Sequence, residues 1–347
     1  MKKDADQHFM MRAFHLALRG AGNVSPNPMV GCVIVKKGEI IGEGWHEKYG
    51  EAHAEVNAVK SVKDPLTLKG STVYVTLEPC AHHGKTPPCA DLLVRHEVGK
   101  VIIANKDPFP FVNGGGIRRL EEAGILVEMG FLEKEGRRIN QRFFSYFEKK
   151  RPYIILKWAQ TADGFVAREN FDSKWISNDK SRKLVHKWRS EEDSILVGTS
   201  TARYDNPSLT VREWNGENPM RLVIDKNLKL DKSLNLFDQS TSTVCYNLHK
   251  NETQENLEYV QVSRENLLAD ILSDLYARRV QSLFVEGGSK LLQSFFDQGL
   301  WDEARVFTSK HKFEKGIKAP LVNAANLVSE SLVLNDRVSL YVNEVDI

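Results

Sequence analysis

Apolar residues recur along the chain in two rhythms, and these sort it into elements before any chemistry is considered. Residues 8–18 carry helical spacing, with Gly20 as the stop. Residues 30–35 and 39–44 are short β-rich runs joined by Lys36-Lys37-Gly38, which predicts a hairpin. Helix is predicted again over 54–62, a buried strand over 72–77 and a helix over 90–96. A strand over 100–104 and a helix over 116–124, closed by Gly124, follow. Strands alternating with helices predict a layered α/β domain.

The stretch 133–151 is dense in charge and runs into Pro152, which disfavours helix at the residue before it. A helix should end there and a new strand begin, so the domain boundary is expected near residue 150, giving domains 1–150 and 151–347. Beyond it the alternation restarts. Strand is expected over 153–158, helix over 180–189, and strands over 194–197, 220–225, 243–246 and 282–285. The last of these passes through Glu286-Gly287-Gly288 into a helical pattern over 290–296. The second half is therefore another α/β domain. There is no internal repeat and no low-complexity segment.

Bulk properties narrow the function classes. A length of 347 residues suggests about two domains at roughly 150 residues each. With 41% hydrophobic residues, each can build a core. The 48 basic and 46 acidic residues leave a net charge of +2, unlike the basic excess expected of a protein gripping nucleic acid. The first ten residues are polar and lack the apolar core of a signal peptide, and no apolar run approaches a membrane span. A cytoplasmic protein with neither nucleic-acid nor membrane partners is expected. Cys32, Cys80, Cys89 and Cys245 are too few for a disulfide scaffold, so paired cysteines point to metal or catalysis. The sequence does not fix the oligomeric state and leaves a homo-oligomer open.

The sharpest chemical signal is His53-Ala54-Glu55 followed by Glu78-Pro79-Cys80 and then Cys89. One His and two Cys suit Zn²⁺ and leave a fourth tetrahedral position for water, which marks a catalytic site. Two thiolates cancel the metal's charge, so the bound water is acidified less than at a His-only site and a nearby base is useful. Glu55, two residues from a ligand, can take the water proton and hand it to a leaving nitrogen. Zinc deaminases use this arrangement, usually with two residues between the cysteines. Here eight intervene, and the insert carries His82, His83 and Lys85. A purely structural zinc site would draw its fourth ligand from His82 or His83, but that leaves His-x-Glu and Pro-Cys unexplained.

The flanking residues narrow the chemistry. Pro26-Asn27-Pro28-Met29-Val30-Gly31-Cys32-Val33, Gly44-Trp45-His46, His53-Ala54-Glu55 and the Glu78-to-Cys89 segment closely resemble the bifunctional deaminase–reductases of riboflavin biosynthesis. The resemblance implies a cytidine-deaminase-like three-layer N-terminal domain acting on a phosphoribosylaminopyrimidine, with Asn23, His46, Lys85 and Asp107 holding base and phosphoribosyl group. Many relatives carry Asn two residues after that Asp; here Phe109 stands there, so no contact is carried over to it.

The second half reads less sharply by spacing alone. Glu286-Gly287-Gly288 before a helix suits an anion cradle, but the usual Gly-x-Gly-x-x-Gly dinucleotide fingerprint is absent. The motifs Lys157-Trp158-Ala159-Gln160-Thr161-Ala162-Asp163-Gly164, Trp175-Ile176-Ser177, His186-Lys187-Trp188-Arg189, Val197-Gly198-Thr199 and Asp205 through Arg212 resemble the family's reductase domain. That resemblance implies a dihydrofolate-reductase-like fold using NADPH. Ala159, Trp175, Thr201, Asp205 and Gly288 would contact NADPH. Ser173, Arg189, Leu209, Arg212 and Glu286 would contact substrate, the two arginines clamping a phosphate and Lys157 holding the ribose. Without the resemblance, Lys157 reads as a solvated strand charge and Arg189 as a surface ion-pair residue.

Three rival functions are weighed. A tRNA deaminase would share the zinc core, but not the long insert or a second domain. A binding protein keeping zinc for shape would not need Glu55. Loss of one of the two activities would show as broken motifs, and both sets are largely intact.

Overall fold

The computed structural model describes residues 2–81, 87–109, 114–174, 176–322 and 325–343. It divides into two units, Met1–Lys150 and Arg151–Ile347.

Unit 1 runs α1 (Lys2–Ala17), β1 (Gly31–Lys36), β2 (Glu39–Trp45), α2 (Ala54–Ser61), β3 (Thr72–Leu77), α3 (Cys89–Arg95), β4 (Lys100–Asn105), α4 (Gly115–Glu122), β5 (Leu126–Met129), α5 (Glu133–Ile139) and α6 (Gln141–Lys149). Its sheet has the order β2-β1-β3-β4-β5. The β1–β2 and β1–β3 pairs are antiparallel, and β3–β4 and β4–β5 are parallel. The predicted hairpin forms with Lys37 and Gly38 both at positive φ, the two-residue turn whose twist matches the strands.

Alternation on β1 explains the layering. Cys32 and Ile34 share a core with Ala54, Ala58, Ala90, Leu93 and Leu120 of α2, α3 and α4. Val33 and Val35 pack with Met10, Ala13 and Phe14 of α1. Both sheet faces are covered, which is why the central strands read as nearly continuous apolar runs. Gly44 lets α2 approach the sheet, since a Cβ there would meet the Ala58 nitrogen at 2.3 Å.

Unit 2 runs β6 (Tyr153–Gln160), β7 (Phe165–Ala167), α7 (Asp179–Ser190), β8 (Ser194–Val197), α8 (Thr199–Asp205), β9 (Met220–Ile224), β10 (Thr243–Asn247), β11 (Glu252–Thr253) and β12 (Leu257–Gln261). It continues through α9 (Leu267–Ala277), β13 (Ser282–Gly287), α10 (Ser289–Asp297), β14 (Glu303–Thr308), β15 (Ile317–Lys318), β16 (Ala325–Val333) and β17 (Asp336–Asn343). Among the described residues its main sheet is ordered β11-β12-β10-β9-β8-β13-β6-β14-β17-β16. The stretch from β12 to β14 is parallel, and the outer strands β11, β17 and β16 are antiparallel.

The chain leaves β6, builds β8 to β12 on one side, then returns to insert β13 between β8 and β6. Such a reversal opens a crevice at the carboxyl ends of the strands, where α/β sheets bind ligands. Cores line both faces, one around Ile154, Leu196, Leu283 and Trp301, the other around Ile155, Ile195, Phe284 and Phe307. Among the described residues, no helix is long and apolar enough to cross a membrane.

Candidate active sites

In unit 1 three chain ends converge. His53 caps the N-terminus of α2 with extended backbone, Cys80 lies just past β3, and Cys89 opens α3. Their ligating atoms lie within 4.8 Å of one another. His53 Nδ1 is 3.6 Å from Cys80 Sγ and 3.4 Å from Cys89 Sγ. Donors at tetrahedral angles around one zinc are roughly 3.5 Å apart, so the triad fits the ion. Hydrogen bonding to Cys89, then to His53, pulls the Cys80 thiol down against its burial. Cys89 is pushed up by its hydrogen bond to Cys80 and by burial. A divalent cation would relieve that opposition and favour both thiolates. The Cys89 backbone N–H at the start of α3 also donates to Cys80 Sγ at 3.4 Å.

Glu55, in the first turn of α2, is 3% exposed and hydrogen-bonds with Cys89. Burial, reinforced by the Cys80 thiolate, raises its carboxyl to about 7. A carboxylate so placed can both take and give a proton near neutral pH.

The other predicted residues of unit 1 separate. His46 is buried with its ring centroid 5.6 Å from that of His53. Its Nδ1 lies 3.1 Å from the Ala52 carbonyl and its Nε2 3.1 Å from Asn27 Nδ2, so Nδ1 donates and Nε2 accepts from the amide. Burial, opposed by the Ala52 bond, keeps it below the usual histidine range. Asp107 is buried and accepts the Phe109 N–H at 2.8 Å, the turn its position before Pro108 suggests. Burial raises its carboxyl to about 7, with Glu78 and Cys80 adding to the rise. Asn23 is exposed and donates its amide to the Ala21 carbonyl. Phe109 joins an aromatic cluster with Phe147. Lys85, His82 and His83 lie outside the described residues.

In unit 2 a cleft of about 1020 Å³ is lined by Lys157, Ala159, Ser173, Arg189, Thr201, Asp205, Leu209, Arg212, Glu286 and Gly288. Ten predicted residues thus meet in one place, eight of them from four separate motifs, with Ser173 and Thr201 from outside the motifs; Trp175 lies outside the described residues. A register shift between Val285 and Gly287 leaves Glu286 as the unpaired residue of a bulge, which re-aims its side chain. Gly288 donates its N–H to Thr201 Oγ1 at 2.9 Å. Ser173 donates to Asp205 at 3.0 Å. Leu209 is held at φ +54°, costly for a leucine and typical of functional loops.

For two of these residues the structure sets aside the alternative of a solvated charge. Lys157 and Arg189 are not surface charges: their side chains are 14% and 12% exposed. Both face Glu286, Arg189 through Nε and Nη2 at 2.6 and 3.0 Å, Lys157 at 3.5 Å. The two-point grip of Arg189 is therefore taken by a carboxylate of the chain itself. Burial works to raise the Glu286 carboxyl, but the charges of Arg189 and Lys157 outweigh it and hold it at about 2. Burial lowers Lys157, with Glu286 opposing.

Three contributors escape the sequence. Asn27 bonds His46; it sits in the Pro26-Asn27-Pro28 motif without marking itself. His186 lines the cleft and accepts the Arg212 backbone N–H at Nδ1, 3.3 Å away. Its spacing of three from Arg189 on α7 is the signal that could have found it. Glu78 is the third, a buried carboxylate that accepts backbone N–H groups from Asp107 and the start of α4.

Comparison with known proteins places both halves of the chain in one family. Residues 3–105 match the cytidine and deoxycytidylate deaminase zinc-binding region, and 152–309 match the RibD C-terminal domain. Riboflavin biosynthesis protein RibD of Aquifex aeolicus is 40% identical over 323 residues, covering 91% of this chain and 90% of that protein. RibD of Actinobacillus pleuropneumoniae is 42% identical, covering 88% and 84%. A crystal structure of a diaminohydroxyphosphoribosylaminopyrimidine deaminase/5-amino-6-(5-phosphoribosylamino)uracil reductase from Thermotoga maritima matches with TM-score 0.91 at 36% identity, covering 99% of this chain and 100% of that one. The chain accordingly belongs to the RibD family, bifunctional enzymes of riboflavin biosynthesis that join a zinc-dependent deaminase domain to an NADPH-dependent reductase domain.

Proposed function

We propose that unit 1 hydrolyses the 2-amino group of 2,5-diamino-6-(5-phosphoribosylamino)pyrimidin-4-one. Unit 2 then reduces the ribosyl group of the product, 5-amino-6-(5-phosphoribosylamino)uracil, to ribityl. The observation that carries the first half is the buried Glu55 beside a His53–Cys80–Cys89 triad of zinc dimensions. The near-neutral charge supports a small-molecule partner rather than nucleic acid or an anionic membrane surface, and a cytoplasmic location is proposed with it.

Held by those three ligands, zinc supplies a Lewis acid with an open position that acidifies water. Glu55 takes the proton from the attacking water and passes it to the leaving nitrogen. A C–O bond forms, the C–N bond breaks and ammonia departs. The buried, neutral His46 lines the base pocket, and Asn23, Lys85 and Asp107 hold the base and its phosphoribosyl group.

In unit 2 bound NADPH would supply the hydride for C1′. Ala159, Trp175, Thr201, Asp205 and Gly288 orient NADPH. Ser173, Leu209, Arg212 and Glu286 bind substrate, with Arg189 using the N–H groups left over from its pairing with Glu286. Lys157 holds the ribosyl ring oxygen; as the ring opens the C1′–O bond breaks, that oxygen takes a proton from solvent and C1′ is left to accept the hydride.

The test is to follow ammonia release and NADPH oxidation separately with the diaminopyrimidinone substrate. Ammonia should appear without NADPH, and NADPH should be consumed only after that step. No ammonia from protein holding one zinc per chain would discard the substrate and bring a nucleoside or tRNA deaminase forward.

A further inference from the structure

The Glu78 side chain is 4% exposed and lies two residues before the zinc ligand Cys80. Among the described residues its carboxylate forms no ion pair; it accepts four backbone N–H groups. Oε2 takes those of Asp107 and Gly114 at 3.3 and 3.0 Å, and Oε1 those of Gly116 and Ile117 at 3.0 and 3.3 Å. One donor, Asp107, lies just past β4, and the other three, Gly114, Gly116 and Ile117, lie at the start of α4. The Glu78 backbone N–H in turn donates to the Asn105 carbonyl at 2.9 Å. The glycines at the start of α4 let that helix press against the zinc-ligand strand end. A Cβ on Gly116 would lie 1.8 Å from the Pro79 carbonyl oxygen, and one on Gly115 3.4 Å from the Ala81 Cβ.

We infer that Glu78 is a positioning residue for deamination: it clasps both Asp107 and the first turn of α4 to the strand end leading to Cys80, and so fixes the Asp107 carboxyl relative to the zinc-ligand set. The inference rests on the proposed role of Asp107 in holding substrate. An anion suits this place because it satisfies the N–H groups that a helix start leaves without helical partners, and it meets the positive end of α4. The carboxylate is also specific. Each oxygen receives two donors, so either orientation of a glutamine amide turns its NH₂ against a pair of N–H groups. The side chain touches neither substrate nor metal in this scheme, and its effect travels through Asp107.

The experiment compares Glu78→Gln, Asp107→Asn and the double variant in the full chain. It measures KM and kcat for ammonia release, zinc content by atomic emission, and NADPH oxidation with the deaminated intermediate as a folding control. Glu78→Asp is carried in parallel, in case the glutamine variant does not fold. Expected for Glu78→Gln is a rise in KM of about 10-fold, as for loss of one substrate contact, with zinc and the reductase rate retained and kcat little changed. Adding Asp107→Asn should raise KM no further, since both act on one contact. A KM that rises in Asp107→Asn but not in Glu78→Gln overturns this inference and leaves the Asp107 assignment standing. Zinc loss in step with activity in both Glu78 variants also overturns it, reducing Glu78 to a support for Cys80. An unchanged KM in Asp107→Asn removes the substrate role of Asp107 and the inference with it.

Discussion

Two carboxylates, one in each unit, show how burial sets different tasks for the same group. Glu55 lies among thiols, and burial followed by the Cys80 thiolate raises it. Glu55→Gln keeps the shape but cannot exchange a proton, so ammonia release should fall by about 10²–10⁴-fold while zinc content stays at the wild-type level. Zinc loss with activity would instead make Glu55 part of the metal's support. Glu286 lies between two cations and stays ionised far below the usual range. Glu286→Gln leaves Arg189 and Lys157 facing each other with a neutral amide, and should destabilise unit 2 by about 3–5 kcal/mol. Five of the six tryptophans lie beyond residue 150, so intrinsic fluorescence reads that unfolding selectively. The sign of the pH dependence follows from the depressed pKa. The Glu286 contribution is fully present above the unfolded value of about 4.3, and is lost as pH falls through about 2. Acid titration of the variant should lack that component. An unchanged acid limb would mean Arg189 and Lys157 have other counter-charges.

At the scale of elements, what the sequence discloses follows the burial of each strand. β3 and β8, apolar and covered on both faces, are predicted with the bounds they have. The zinc triad was equally legible because His53 and Cys89 sit at helix starts and Cys80 at a strand end, where motif and element coincide. β14 was not. Its Glu303 and Arg305 look like surface charges but are buried together, with Arg305 also near Glu192 and over the Trp188 ring. β5 was missed because it is largely exposed and short, and α9 starts without a side-chain cap. Asn140 was missed for a related reason: its role depends on a partner far away in sequence. Standing between α5 and α6, it accepts the Met29 N–H at 2.8 Å and donates to the Met29 carbonyl at 2.9 Å, tying the helices to the loop that runs from Asn27 of the Asn27–His46 pair into β1. Asn140→Ala strands two backbone groups in a buried setting and should cost about 1–3 kcal/mol, read as a lower midpoint in denaturant for unit 1. A neutral effect would mean water replaces both bonds.

At the scale of the whole molecule, the two sites draw on different resources. The deaminase site is built where the ends of three elements bring together ligands that would hold zinc, while the reductase cleft is built on a large, mainly parallel sheet with its own core. Metal removal therefore discriminates between the units. Because a site assembled from separate elements returns binding energy as folding energy, stripping zinc should loosen α2 and α3 against β3. The Glu286–Arg189–Lys157 cluster contains no metal ligand and should be untouched. Protein treated with a zinc chelator is expected to lose ammonia release and show an earlier unfolding step in unit 1. The tryptophan-reported transition of unit 2 should stay where it was, and NADPH should still be oxidised when the deaminated intermediate is supplied. Adding zinc back should restore ammonia release. If NADPH oxidation on that intermediate falls in proportion to zinc, the reductase cleft depends on the integrity of unit 1, and the two activities cannot be treated as separately built.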